Sequence, residues 1–330
     1  MIVVAADVGG TNARLALVEV QGAQMRFFEE RTYASAAFGG LEQILERFVA
    51  EAGTRVERAC VAIAGPVHED HCATTNLPWT VDARALQRAS GIARVKLVND
   101  FHGAAAGVLE LDHDGAVHLL GPARSHRALG GSLAVLGAGT GLGEAILARD
   151  GDRFVIVPTE GGHTDFAPRR IAEVHLLSWL TARHSGHVSY ERVASGPGLV
   201  SLYEFLVEAE GRPPAALVES ARAAAADVAA AISTAAEAGD ATSGEALDWM
   251  LDVLLAEAGN LALKSLATGG VFVCGGIAPR VLPRLRAVAT RGAFTDKGRY
   301  RELLDAVPMW VVTDTRLGLR GAARIAVGLG

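Results

Sequence analysis

Two turns rich in glycine and threonine carry the groups in this sequence that best suit the binding of a phosphorylated ligand. The first, Asp7-Val8-Gly9-Gly10-Thr11-Asn12, follows the apolar run Ile2 to Ala6, and the second, Gly137 to Gly143, follows Leu133 to Leu136. Glycine lets backbone N–H groups approach an anion without a Cβ in the way, and threonine adds a hydroxyl donor. Two such turns facing each other could hold the phosphates of one nucleotide from both sides.

A β-hairpin turn is the simpler interpretation of either segment, because glycine and asparagine favour positive φ. Three glycines, Gly137, Gly139 and Gly141, exceed what a hairpin turn needs. The second turn also departs from the dinucleotide fingerprint, since Leu142 stands where that fingerprint has its third small residue. This disfavours a Rossmann dehydrogenase.

Asn99-Asp100 lies between the two turns and carries the side chain best suited to accept a proton from an alcohol. It follows the apolar run Val95 to Val98 and precedes a predicted helix. Both residue types are good N-caps, so helix capping alone is one interpretation. The other is functional, because a carboxylate at the carboxyl end of a buried strand lies where α/β sheets bind ligands and can act there as a general base.

Three further segments have both a plain and a functional interpretation. Glu160-Gly161-Gly162-His163 is either a polar loop or a carboxylate and an imidazole that bind the vicinal hydroxyls of a sugar. Glu191 is either a surface acid or part of the same set, and Gly275-Gly276 either ends a strand or lets a flat base lie on the backbone.

Other nucleotide and metal sites find less support. The three lysines, Lys96, Lys264 and Lys297, all lie outside the glycine turns, which excludes a Walker-type P-loop. His68-Glu69-Asp70-His71-Cys72 matches no standard metal spacing and is predicted to be an exposed hairpin tip. A structural zinc site near His163 is not supported, because no cysteine cluster accompanies it.

The composition sets the class of protein. A length of 330 residues suits two domains, and 50% hydrophobic with 21% charged residues is an ordinary globular balance. The net charge of -6 argues against a nucleic-acid or anionic-membrane surface. We expect neither a signal peptide nor a membrane span, and three widely separated cysteines suit a reducing cytoplasm.

The hydrophobic patterns predict the elements that position these residues. Residues 2–20 read as a hairpin, and further strands are predicted at 25–33, 58–64, 95–98, 133–136, 144–148, 154–157, 271–274 and 309–312. Helices are predicted at 41–52, 81–90, 101–109, 171–184, 198–210, 214–238, 242–267, 282–290 and 316–329.

The pattern restarts at about residue 113, where a second strand–glycine turn–strand segment echoes the N-terminal hairpin. This indicates an internal duplication of one α/β domain. We predict a small α/β domain of residues 1–112 plus 314–330 and a large α+β domain of residues 113–313.

Taken together, the motifs resemble those of the bacterial glucokinase family, within the hexokinase and actin-like ATPase superfamily. The resemblance covers essentially the whole chain. It is carried in order by Asp7 to Leu17, Thr75-Asn76 with Trp79, Asn99-Asp100-Phe101, Gly137 to Gly143, Glu160 to Pro168, Glu191 to Gly198, and Gly269 to Ile277. The missing cysteine-rich zinc motif separates the chain from the repressor/kinase (ROK) branch. Leu77-Pro78 and Thr159 depart slightly from the family pattern.

The resemblance implies a two-domain actin-like ATPase (ribonuclease H-like) fold of mixed sheets flanked by helices, with a cleft between the domains. It implies ATP-dependent phosphorylation of the 6-hydroxyl of glucose, the first step of glycolysis. Asp100 would be the base, and Asn99, Glu160, His163 and Glu191, with Asp100, would bind the sugar. A homodimer is expected from the family.

The residues implied for the nucleotide belong to three segments. Ala6, Asp7, Val8, Gly9, Gly10, Thr11, Gly137, Gly139, Thr140 and Gly141 would surround the phosphates, and Gly275 and Gly276 the adenosine. Asp7 would lie near Mg²⁺, through water.

Three alternatives stay open from the sequence. One is a non-catalytic sugar sensor on the same fold, which would need no base. Another is a kinase for a different hexose, such as mannose or an N-acetyl amino sugar. The third is an acetate-kinase-like or chaperone-like ATPase, whose hydrolysis of ATP would be indifferent to sugar.

Overall fold

A computed structural model describes residues 1–22, 24–74, 77–126, 130–184 and 186–329. The strands in these residues are β1 (Ile2–Val8), β2 (Asn12–Gln21), β3 (Gln24–Ala34), β4 (Arg58–Ile63), β5 (Val67–His68), β6 (His71–Ala73), β7 (Thr80–Asp82), β8 (Arg94–Asn99), β9 (Ala116–Leu120), β10 (Leu133–Ala138), β11 (Leu142–Asp150), β12 (Arg153–Thr159), β13 (Gly270–Cys274) and β14 (Met309–Val312).

The helices are α1 (Leu41–Ala52), α2 (Ala83–Ser90), α3 (Asp100–Val108), α4 (Ile171–Arg183), α5 (Gly196–Glu208), α6 (Ala216–Ala223), α7 (Val228–Glu237), α8 (Ala241–Ser265), α9 (Leu282–Ala289), α10 (Arg301–Asp305) and α11 (Leu317–Val327). The residues form two units. Unit 1 comprises Met1–Gly115, Ile156–Pro158 and Asp314–Gly330, and unit 2 comprises Ala116–Val155 and Thr159–Thr313.

Unit 1 is built on a five-stranded sheet in the order β3-β2-β1-β4-β8. The hairpin β1–β2 is antiparallel, whereas β4 runs parallel to both β1 and β8. Alternate residues of β1 enter different cores, as the two-residue period of a strand requires. Val3 and Ala5 pack with α11, while Val4, Ala6 and Val8 pack in the core that includes α1.

Unit 2 is built on a six-stranded sheet in the order β12-β11-β10-β13-β14-β9. The hairpin β10–β11 is antiparallel, and β13 runs parallel to β10 and β14. Its first five strands repeat the arrangement of unit 1: a hairpin, a third strand beside it, and two parallel strands on the other side. The duplication predicted from the two glycine turns is therefore present in the topology.

Most predicted elements are observed within one or two residues, one predicted helix is wrong, and some elements were not predicted. The helix predicted from Val81 begins at Ala83, because Val81 belongs to β7 and Asp82 caps the helix by accepting the Ala85 N–H at 2.7 Å. The single helix predicted over residues 214–238 is two helices, α6 and α7. Strands β7 and β9 and helix α10 were not predicted.

Candidate active site

The first glycine turn lies at the carboxyl end of β1. The Gly9 N–H donates to the Asn12 carbonyl at 2.9 Å and closes the turn. Ser35 supports it from outside, since its Oγ donates to the Gly9 carbonyl at 3.1 Å. The backbone of Gly9, Gly10 and Thr11 is therefore fixed while these residues stay partly or fully exposed.

Asp7 is half-buried beside this turn, at the second-last position of β1. Burial raises the pKa of its carboxyl, and the nearby Arg14 guanidinium opposes that rise. Space for the carboxyl depends on Gly318 of α11, because a Cβ there would lie 2.6 Å from Asp7 Oδ2. Gly318 was missed from the sequence; the signal that could have found it is a glycine at the start of an otherwise apolar helix.

Asn99 and Asp100 lie at the same sheet edge as the first turn, since Val8 and Asn99 are both in register with Ile63 of β4. Asn99 is the N-cap of α3: its Oδ1 accepts the N–H groups of Phe101 and His102 at 2.9 and 3.3 Å. Its Nδ2 donates to the Gly65 carbonyl at 3.0 Å. The capping interpretation is thus correct for Asn99.

Asp100 is the first residue of α3 and is exposed. Its Oδ1 accepts the N–H of Phe101 at 2.9 Å. The N-terminus of a helix favours a negative charge, which suits a carboxylate that is to act as a general base. Capping by Asn99 does not explain why a carboxylate stands at this position.

The second glycine turn connects β10 and β11 in unit 2. Its Gly139 N–H donates to the Gly141 carbonyl at 2.9 Å, and the Gly139 carbonyl accepts the Gly196 N–H of α5 at 2.8 Å. A Cβ on Gly137 would lie 2.8 Å from Cys274 Sγ, and one on Gly141 would lie 2.5 Å from Glu191 Oε2. Packing within unit 2 therefore explains two of the three glycines.

Gly139 and Gly276 are different, because a Cβ on either would meet no described atom within 4 Å and neither has a positive φ. Gly275 has a φ of +85° and a Cβ there would lie 2.4 Å from the Ala138 carbonyl. The turn and the Gly275-Gly276 pair meet at one sheet edge, since Gly137 is in register with Cys274. Glycines with empty space at the Cβ position, at such an edge, leave room for a ligand against the backbone.

The proposed sugar-binding segments lie side by side in unit 2. Tyr190 N–H donates to the Thr164 carbonyl at 3.0 Å and joins the two segments. Glu191 accepts the Leu142 N–H at 3.0 Å, and its Oε2 lies 3.9 Å from His163 Nε2. His163 and Glu160 are exposed, and the His163 N–H donates to the Glu160 carbonyl at 3.0 Å.

Gly161-Gly162 is required by close packing. A Cβ on Gly162 would lie 2.0 Å from the Leu142 carbonyl, and one on Gly161 would lie 2.0 Å from Glu144 Oε2. The double glycine lets the turn approach β11 and so positions Glu160 and His163. Glu144 was missed from the sequence, where it is one acid among many.

The predicted residues divide between the units. Unit 1 carries the segment Ala6 to Thr11 with Asn99 and Asp100, and unit 2 carries Gly137 to Gly141, Glu160, His163, Glu191 and Gly275-Gly276. Thr75-Asn76 lies outside the described residues.

The hairpin tip predicted at His68 to Cys72 is confirmed by strands β5 and β6. His71 Nδ1 lies 3.2 Å from Asp82 Oδ2, and Asp70 pairs with Lys96 at 2.9 Å. Within the described ranges, no group of three or more His, Cys, Asp or Glu side chains is arranged to hold a metal. The same residues contain no helix with the length and apolar character needed to cross a bilayer.

Comparison with known proteins assigns the family. A family model described as "Glucokinase" matches residues 4–328. A glucokinase of Nostoc punctiforme is 38% identical over 343 residues, covering 99% of both chains. One of Yersinia enterocolitica is 38% identical over 317 residues, covering 96% of this chain and 93% of the relative.

A solved structure agrees with these sequence matches. The crystal structure of a glucokinase from an Antarctic psychrotroph superimposes with a TM-score of 0.84 and 31% identity, covering 99% of both chains. The predicted fold class, that of the hexokinase and actin-like sugar kinases, is confirmed by this similarity.

Proposed function

The chain belongs to the glucokinase family and phosphorylates glucose with ATP, and we propose that Asp100 is the general base of that reaction. The observation that carries this assignment is an exposed carboxylate at the N-terminus of α3, beside a cap already supplied by Asn99. A carboxylate at this position can accept the proton of a substrate hydroxyl.

The proton of the glucose 6-hydroxyl passes to an Asp100 carboxylate oxygen while that hydroxyl oxygen bonds to the γ-phosphorus of ATP. The bond from the γ-phosphorus to the β,γ-bridging oxygen breaks, and the products are glucose 6-phosphate and ADP. Because little covalent chemistry falls to the protein in phosphoryl transfer, positioning and electrostatics account for most of the acceleration.

We assign the sugar hydroxyls to Asn99, Asp100, Glu160, His163 and Glu191. The Leu142 N–H holds the Glu191 carboxylate in place, and His163 Nε2 lies 3.9 Å from it, so the two side chains can reach one sugar. A site built to pair hydroxyls rejects sugars that lack them by large factors. We therefore expect this set of side chains to select glucose over other hexoses.

The nucleotide is assigned to the two glycine turns and to Gly275-Gly276. Open backbone at Gly139 and Gly276 supports this assignment, since neither packing nor φ requires glycine there. Thr11 and Thr140 would add hydroxyl donors to the backbone N–H groups.

The first glycine turn has one carboxylate beside it that suits Mg²⁺, that of Asp7. Asp7 is a single half-buried carboxylate, and Mg²⁺ keeps several waters and takes one or two carboxylates beside substrate phosphates. When bound, the ion would neutralise charge on the phosphates. Asp7 would hold it through water.

Three further assignments complete the proposal. The two units are the small and large domains, the enzyme acts in the cytoplasm at the first step of glycolysis, and it assembles as a homodimer. Sedimentation velocity of the purified protein tests the last of these.

The deciding experiment measures ADP release from Mg-ATP with and without glucose, with the sugar product identified by NMR. We expect glucose-dependent release and phosphate on the 6-carbon. A much higher kcat/KM on mannose or an N-acetyl amino sugar would replace glucose as the substrate. ATP hydrolysis indifferent to sugar, or sugar binding without turnover, would contradict a kinase.

A further inference from the structure

Glu144 is a buried acid beneath the turn that carries Glu160 and His163. It is 2% exposed and lies on β11 in register with Leu136. Its Oε1 has no hydrogen-bond partner in the part of the chain that the structure describes. A buried polar atom without a partner is costly, and a buried carboxylate without one is costlier still.

The carboxyl fills the space over Gly161. A Cβ on Gly161 would lie 2.0 Å from Glu144 Oε2 and 2.8 Å from its Cδ. The backbone is joined as well, since Thr159 Oγ1 donates to the Glu144 carbonyl at 3.1 Å and accepts the Gly161 N–H at 3.1 Å. The side chain and the backbone of Glu144 therefore both lie against the turn.

The charged groups that face Glu144 come from α8. Glu257, itself buried, opposes ionisation of Glu144, and Lys264 favours it. Glu257 is already engaged, because its carboxylate accepts from Asn260 Nδ2 at 2.8 Å and from Lys264 Nζ at 3.2 Å. Tyr190, next to Glu191, joins this cluster through Asn260 Nδ2 at 3.0 Å. On the turn side Glu144 meets the Gly161 backbone.

We propose that Glu144 is a positioning residue whose protonated carboxyl holds the Glu160–His163 turn in its glucose-binding conformation, so that glucose binding takes up a proton. The inference rests on the proposed sugar-binding role of that turn. Ionisation would place an unsolvated charge against Gly161 and Glu257, and the turn would have to move to admit water or a donor. Burial, with Glu257 adding to it, raises the pKa of Glu144 to about 7, so the switch falls near neutral pH.

The test is titration calorimetry of glucose into the full-length protein at pH 7.5, in PIPES and in Tris buffers. The two buffers differ in ionisation enthalpy, so proton uptake appears as a difference in binding enthalpy. Glu144→Gln keeps the shape of the side chain and removes its titration. We expect proton uptake in the wild type and none in E144Q.

Affinity gives a second readout. Between pH 6 and 8.5 the wild-type Kd for glucose should rise by about tenfold if binding shifts the pKa of Glu144 by one unit, while that of E144Q stays flat. Glu160 and His163 are the other titratable groups of the turn, and both are present in both proteins, so equal proton uptake by the two proteins would overturn the inference. A folded wild type that binds no glucose would instead overturn the proposed function, and this inference with it.

A measurement on the wild type alone covers the case in which E144Q fails to fold. Carbon-13 NMR of labelled glutamate carboxyls should show one resonance titrating near neutral pH, with a midpoint that rises when glucose is added. If no glutamate carboxyl titrates near neutral pH, or if the midpoint does not change when glucose is added, Glu144 does not act in this way.

Discussion

Asp100 is the residue on which the proposed chemistry depends most. Asp100→Asn keeps the size of the side chain and its ability to accept the Phe101 N–H, so α3 should still form. We expect kcat to fall by about 10² to 10⁴, the contribution of a positioned general base, with glucose affinity largely kept.

Asp114→Asn, which changes an exposed acid just beyond α3, is the matched control and should turn over like the wild type. Steady-state kinetics and glucose titration of both variants are the measurements. If D100N keeps its turnover, the base is another group.

Glu144 also makes stability depend on pH. Its pKa is raised from 4.5 to about 7 in the folded protein, so between these values the folded chain holds a proton that the unfolded chain has lost. The stabilisation is therefore fully present below pH 4.5 and is lost as pH rises through about 7. Relative to E144Q, the wild type should lose up to about 3 kcal/mol across this range.

Denaturant unfolding of both proteins at pH 5, 7 and 8.5 measures this difference, in which all other titrations cancel. Glu210→Gln, at an exposed acid, is the control, and its difference from the wild type should stay constant with pH. A constant difference for E144Q would mean that Glu144 is solvated in the folded protein.

At the scale of elements, a positive φ and an N-cap set a helix break that helix propensity did not predict. The alanine-rich segment predicts one helix through residues 214–238 because alanine is the best helix former. The chain instead breaks at Ala225, which has a φ of +50°, and restarts where Asp227 caps α7 by accepting the Ala230 N–H at 3.0 Å. The sequence contains the cap, but nothing in the alanine run marks Ala225 as the residue that takes a positive φ.

The site shows the same division. The places of the two glycine turns and of Asn99-Asp100 at strand ends are predictable, because each follows an apolar run that reads as a buried strand. Their roles toward a ligand stay predictions. Gly318 and Glu144 are not predictable, since each acts through a neighbour distant in sequence, Asp7 or Gly161. Strand β9 was missed because its residues are all only partly buried and give no clear alternation.

Ser195 connects the sugar-binding segment to the start of α5. Its buried Oγ accepts the Gly198 N–H at 3.1 Å and donates to the Glu191 carbonyl at 2.6 Å. Ser195→Ala should lower the unfolding free energy by about 1–3 kcal/mol, since it removes a cap and leaves buried partners unpaired. It should also raise KM for glucose, because the backbone of Glu191 loses its anchor.

Asp227→Ala provides the matched comparison, because Asp227 caps α7 of the same unit from an exposed position. That variant should lose about 1 kcal/mol of stability and keep its KM. Thermal unfolding and kinetics of both variants separate the two effects. An unchanged KM in S195A would show that Glu191 is positioned without Ser195.

At the scale of the whole molecule, the chain contains one strand arrangement twice, each with its own core. The sheets share the order of hairpin, third strand and two parallel strands, and each glycine turn lies in the hairpin of its unit. Duplication explains why two turns of similar composition occur so far apart in sequence. Unit 1 is completed from the C-terminus, since α11 covers the face of its sheet that carries Val3 and Ala5.

The packing of α11 in unit 1 depends on glycines that exclude side chains. A Cβ on Gly321 would lie 1.7 Å from the Gly103 carbonyl of α3, and one on Gly107 would lie 2.1 Å from the Leu317 carbonyl. These obstacles are backbone atoms, so no rotamer change can relieve them. Gly321→Ala should therefore push α11 from α3 and cost about 1–3 kcal/mol by overpacking.

The resulting change should be confined to the unit that α11 completes. Hydrogen exchange of the full-length G321A protein should rise in β1, β4, α3 and α11, whose protection reflects the core that α11 closes, while β10, β13 and β14 keep wild-type protection. Gly328→Ala is the control, because a Cβ at this C-cap of the same helix would lie 3.4 Å from the Ile325 carbonyl, an ordinary contact distance. This variant should exchange like the wild type. An equal rise in the strands of both sheets would show that the two sheets unfold together, and the proposed small and large domains would then form a single cooperative unit.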